Sequence, residues 1–119
     1  MSTQTSTEIL QIAKITDTLL GFEASHGIFT AELTVDFGGS CMTVGRYAFG
    51  TEAPGSAFGL AFVKAIIDAC GVRRWEDVTG RTIYVVMTDP FEGRALGIQN
   101  LPTEPGTRVI FSELAALYS

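Results

Sequence analysis

His26 is the one side chain whose ordinary pKa lies near neutrality, so a general acid–base step would turn to it first. The nucleophile that could join it is Cys41, but the spacing opposes the pair. If the chain turns back at Gly38-Gly39, Cys41 pairs near Asp36 and His26 lies roughly ten residues, or ~30 Å, further along the strand. A nucleophile and its base must approach within ~3 Å. His26 is therefore read as a turn residue and Cys41 as a small packed one. Glu76-Asp77, or Asp89 with Glu92, could offer oxygens to a magnesium ion, yet adjacent acids near turns are ordinarily solvated or cap a helix. One histidine and two cysteines far apart do not make a zinc site. No catalytic residue set, metal or cofactor is expected, and the chain is not read as an enzyme.

The glycine-rich run GGSCMTVGRYAFG, Gly38 to Gly50, invites comparison with phosphate loops. It lacks the GxxxxGK[ST] spacing, and GRYAFG precedes a loop instead of a helix N-terminus. The favoured reading is a hairpin turn followed by a bend in the sheet. A sharper alternative is a small-ligand pocket. There the backbone at Gly45 lets a ring approach, Tyr47 or Phe49 stacks on it, Arg46 pairs an anionic group, and Arg94 joins from the loop FEGR. A second candidate surface is the cluster Arg73, Arg74, Glu76 and Asp77 around Trp75, where the arginines could contact phosphate or a partner's carboxylates. Basic residues at a helix end are also expected from the helix dipole alone.

The elements that would position these residues follow from periodicity. Residues 1–8, Ser/Thr-rich, read as a disordered tail, and residues 9–119 as a single domain. Leu10 to Phe22 is β-compatible with one slip in alternation, as a bulge produces. Phe29, Ala31, Leu33, Val35 and Phe37 alternate with Thr30, Glu32, Thr34 and Asp36, the pattern of a half-buried strand. Gly38-Gly39 then turns the chain into a third strand, Cys41 to Phe49. Ala57 to Cys70 carries Phe58, Phe62, Ala65, Ile66 and Ala69 at helical spacing. Leu60, Val63 and Ile67 widen that stripe until little beyond Lys64 and Asp68 is left for water, so the helix is expected to be covered on more than one side. Gly71 suits a left-handed cap, and WEDV one more turn that tucks Trp75 and Val78 inward. RTIYVVM, apolar on both faces, reads as a central strand. Another strand follows around Ala95 to Leu101, and Ser112 is expected to cap a last short helix, ELAALY. The order is βββ-α-ββ and a short C-terminal helix. This predicts an α+β fold in which a curved, mostly antiparallel sheet packs on one central helix.

Composition narrows the partners. Thirteen acids against eight bases give a net charge of −5, which disfavours direct binding to nucleic acid. Hydrophobic residues make up 46% and charged ones 18% of the chain, so some apolar surface is expected to face a partner, with a homodimer through a free sheet edge the expected form. The N-terminal MSTQTSTE has no basic-then-apolar pattern of a signal peptide. No apolar run approaches the ~20 residues of a membrane span, and two cysteines read as free thiols in a reducing cytoplasm.

The segments HGIFTAELTVDFGGS, GRYAF, AFGLAF, GVRRWEDVTGRTIYVV and GIQNL, between Ile15 and Leu101, together resemble a family of small phage and prophage proteins of unassigned function. Where the family pattern would place Trp-Phe after GIQNL, this chain has LPTEPGTRVIF. The resemblance implies a phage accessory role in the host cell. One form is an inhibitor of a host defence protein or complex, acting by contact as anti-CRISPR proteins do. Another is a sponge that sequesters a nucleotide signal.

Overall fold

The computed structural model describes residues 8–24, 27–47, 49, 57–88, 95–103 and 107–118. Strand β1 (Ile9–Phe22) is followed by β2 (Phe29–Asp36) and β3 (Cys41–Gly45). Helix α1 (Ala57–Cys70) follows, then a 3-10 turn (Trp75–Asp77), β4 (Thr82–Met87), β5 (Ala95–Gln99), β6 (Arg108–Ile110) and α2 (Phe111–Ala116). The six strands form one antiparallel sheet in the order β3-β2-β1-β4-β5-β6. The fold is α+β, a curved open sheet with two helices, as the alternation of sequence patterns predicts.

Curvature begins in β1. Its first part, Ile9–Lys14, pairs with β4, while Lys14–Phe22 pairs with β2, and the register shifts between Ile15 and Asp17. The extra residue, Thr16, is the slip visible in the sequence; a bulge bends the strand and increases its twist. Alternation then sorts the side chains. Ala13, Ile15, Ala31, Leu33, Val35, Ile83, Val85, Met87 and Ile98 enter the core on the concave face, whereas Glu32 falls on the convex one.

Helix α1 lies against that concave face through Gly59, Phe62, Ile66, Ala69 and Cys70, which recur at helical spacing and are all buried. The aromatic side chains interlock. The rings of Phe62 and Phe111 of α2 stack at 5.0 Å, and Phe62 meets Phe49 at 5.3 Å. Such pairs add ~0.5–1.5 kcal/mol beyond the area they bury. The helix stops as Gly71 predicts. Gly71 takes φ 69°, its N–H donates to Asp68 O, the Val72 N–H donates to Ile67 O, and Arg81 Nε donates to Cys70 O. Those backbone bonds form a Schellman motif, which satisfies carbonyls the helix leaves over.

Three expectations change. The third strand ends at Gly45, not Phe49, because Gly45 and Arg46 both take positive φ, 97° and 71°, and break the pleat. At Gly45 the missing Cβ leaves room for the Phe62 ring, which would stand 3.4 Å from it. A sixth strand, Arg108–Ile110, lies at the sheet edge where only a loop was expected. Ser112 sits inside the first turn of α2 and does not cap it; the extended Ile110 takes the cap position with no side-chain bond. Of the tail expected over residues 1–8, only Glu8 is described, and its carboxylate accepts from the Arg108 guanidinium across the sheet. No described helix is long and apolar enough to cross a membrane.

Candidate functional site

The curved sheet separates the members of the expected small-ligand pocket. Tyr47 and Phe49 turn to the concave side: Tyr47 packs on Phe58, Phe62 and Phe111 at 5.6–6.0 Å, and Phe49 is buried against Phe29, Phe58 and Phe62. Arg46 turns to the convex side, where its Nε lies 3.3 Å from Glu32 Oε2. That oxygen is buried and receives no hydrogen bond among the described residues, where the Arg46 charge balances it. An anion approaching Arg46 must therefore compete with Glu32. Arg94 lies outside the described residues, as do His26, Asp89 and Glu92. Cys41 is opposite Asp36 as the hairpin reading requires, exposed and free, and no three His, Cys, Asp or Glu side chains cluster as metal ligands among the described residues.

Tyr47 does reach open space. It lines a cleft of about 450 Å³ with Thr88, Ala95, Leu96 and Ser112, between the end of β3, β4, β5 and α2. The cleft joins the hydroxyls of Tyr47, Thr88 and Ser112 to an apolar wall of Ala95 and Leu96.

The second candidate surface holds together better. Arg73, Arg74, Glu76 and Asp77 are all exposed where α1 gives way to the 3-10 turn. Arg74 Nε pairs with Asp77 Oδ2 at 3.4 Å, whereas Arg73 has no such pair among the described residues. Trp75 and Val78 tuck inward beneath them, Val78 fully buried. Arg73 closes one end of a groove of about 590 Å³ that runs up the outside of α1. Leu60, Val63, Ile67 and Val72 make its apolar lining, and the Lys64–Asp68 ion pair, 2.8 Å, stands along it.

This groove is the feature the sequence reading missed. Leu60, Val63 and Ile67 were expected to be covered along with the rest of the helix. Val63 and Ile67 are half-buried, packed against the edge of the core, but Leu60 is 75% exposed. Among the described residues nothing lies over that side of α1. The signal available was the width of the apolar stripe: a helix touching one curved sheet buries one face, and this helix has apolar residues for two. Leu117 of the C-terminal segment, which lines a separate hollow with Ala65 and Leu114, is 77% exposed.

The arrangement can bind, by desolvating an apolar ridge bordered with mixed charge, which is how protein interfaces are composed. No family model, curated protein or solved structure matches the chain.

Proposed function

We propose that this chain is a non-enzymatic binding protein that takes a partner protein on the outer face of α1, in the manner of a phage-encoded, anti-CRISPR-like inhibitor of a bacterial defence complex. Leu60 carries the reading: it is exposed to water and lines an apolar groove on the very helix that builds the core. Burying an exposed leucine side chain stabilises a contact by ~1.5–3 kcal/mol. Arg73 at the groove's end, without an ion-pair partner among the described residues, fits a partner that brings an apolar ridge and a carboxylate beside it, a charge-assisted contact. The net charge of −5 favours approach to a basic surface around that contact. The phage and anti-defence setting rests on the motif resemblance.

The test is capture from lysate of a defence-proficient bacterium at physiological salt, with wild type and Leu60→Glu compared side by side. A stoichiometric defence component held by wild type and released by Leu60→Glu supports the reading. A partner held equally by both, or no partner on wild type, overturns the docking face. A groove-dependent partner of another class overturns the anti-defence assignment.

A second reading, a sponge for a nucleotide signal, is favoured by the cleft at Tyr47. A ligand bound there raises the melting temperature by mass action, so a flat thermal-shift response across a panel of cyclic nucleotides removes it.

A further inference from the structure

The outermost strands of the sheet are poor templates for another chain, and an inner one is a good template. β6 is three residues long, carries Arg108 tied to Glu8 and Gln99, and runs straight into α2. β3 is five residues long and ends where Gly45 and Arg46 break the pleat. Short strands, charges and irregular ends are the means by which proteins blunt a sheet edge. Over its second half β1 has, among the described residues, only the bulge at Thr16 and the Asp17 charge at its start, and from Thr18 to Phe22 no charge at all. On the β4 side its last pairing is at Ile15, whose N–H donates to Arg81 O at 2.8 Å and whose carbonyl accepts from Gly80 N at 2.7 Å. From Asp17 to Phe22, β1 pairs with β2 alone among the described residues.

The register says which groups are left over. Glu23 N–H donates to Ile28 O, and Arg46 N–H and Phe49 N–H donate to Ala31 O and Phe29 O on the far side of β2. Since backbone direction alternates along a strand, Asp17, Leu19 and Gly21 bond toward β2, while Thr18, Leu20 and Phe22 aim their N–H and C=O groups at the vacant side. Their side chains share the concave face, where Leu20 is 40% and Phe22 64% exposed. The edge is thus an uncharged Thr-Leu-Phe stripe with three pairs of backbone groups unspent among the described residues, and the group that satisfies it is another extended strand.

We propose that the vacant edge of β1 takes the same edge of a second copy of this chain, antiparallel, about a two-fold axis at Leu20. That register is self-complementary. Leu20 faces Leu20, Phe22 faces Thr18, and all three residues of each copy bond across the seam without a charge on the concave stripe. A two-fold contact also closes on itself, so the sheet edge is used up in a dimer instead of growing into a fibre. On the convex side the same register sets Asp17 opposite Glu23 of the partner subunit, a like-charge pair that weakens the seam and is relieved by salt.

The test is mass in solution, by sedimentation equilibrium across a concentration series, together with cross-linking of Leu20→Cys in a Cys41→Ser background. Opposed Cα atoms in a hydrogen-bonded antiparallel pair stand ~5.5 Å apart, within disulfide reach. The expected results are a dimer for wild type, dissociation at least tenfold easier for Phe22→Lys, tighter association for Asp17→Asn, and an intermolecular disulfide in Leu20→Cys under mild oxidation. A wild type that stays monomeric at 100 µM overturns the proposal, whatever the variants do. So does a dimer in which Leu20→Cys forms no cross-link, the result expected if the α1 groove or a partner's strand were the contact instead.

Discussion

The two sides of α1 are made of the same kinds of residue and meet opposite fates. Phe62, Ile66, Ala69 and Cys70 are completely buried against the sheet, while Leu60, with Val63 and Ile67 beside it, borders an open groove. Hydrophobicity therefore does not decide which side faces in; complementarity does. The inner side meets a surface shaped for it, with Gly45 giving way to the Phe62 ring and the Phe49 ring lying 3.1 Å from where a Gly59 Cβ would stand. The outer side meets no such surface among the described residues. One side of the helix specifies the fold, and the other is left over for binding.

Removing the centre of the inner side breaks the comparison most directly. Phe62→Ala deletes a fully buried ring that touches Tyr47, Phe49, Phe58 and Phe111. It is expected to cost about 3–5 kcal/mol, read as a lower midpoint in urea denaturation. Leu60→Glu, the most exposed apolar residue of the outer side, is expected to move the same midpoint by no more than about 0.5 kcal/mol. If the two variants lose similar stability, the distinction between the sides is wrong. Gly45→Ala probes the shaped surface from the sheet. It forces a side chain into a positive-φ position 3.0 Å from Ala31 O, and is expected to cost about 1–2 kcal/mol, again by denaturation.

Much of the inner side could be read from the sequence. The spacing of Phe62, Ile66 and Ala69 gives both ends of α1 once Gly71 is recognised as its stop, and the slip in alternation near Thr16 marks the bulge in β1. β6 was not legible because three residues between a turn-rich loop and a helix contain too little alternation to detect; their pairing is decided by β5, where Gly97 allows Val109 to come close. The grouping of Arg46 with Tyr47 and Phe49 failed to anticipate two successive positive-φ residues, which send neighbouring side chains to opposite faces. The groove on α1 was hidden for a different reason. Leu60 has the same chemistry as a core residue, and only the distance to the next covering element distinguishes them.

The two thiols extend the comparison from packing to reactivity. Cys70 belongs to the inner side of α1, and burial pushes its thiol up to about 12, partly offset by the nearby Arg81 charge. Cys41 is exposed on the hairpin. At pH 8 a disulfide reagent is therefore expected to label Cys41 readily and Cys70 only on unfolding, since the thiolate is the attacking form. The sign for stability follows. The folded pKa is raised, so the contribution of Cys70 is fully present below the ordinary thiol range and is lost as pH rises toward 12. Labelling of both thiols at equal rates in the native protein would mean that the inner side of the helix opens freely.

The smallest effect belongs to a place remote from both sides of the helix, the turn between β2 and β3. Asp36 Oδ1 accepts from Gly38 N–H at 2.8 Å and from Gly39 N–H at 3.2 Å, and these bonds hold its carboxyl below the usual aspartate value. A depressed folded pKa stabilises above the unfolded value and ceases to do so as pH falls through the folded one. Wild type is therefore expected to melt slightly higher than Asp36→Ala at neutral pH, and the gap to close as pH drops below the ordinary carboxylate range. The turn is fully exposed, so salt and solvent keep the gap small. A gap that persists unchanged in strong acid would show that the side chain shapes the turn by its volume and not by accepting the two glycine N–H groups.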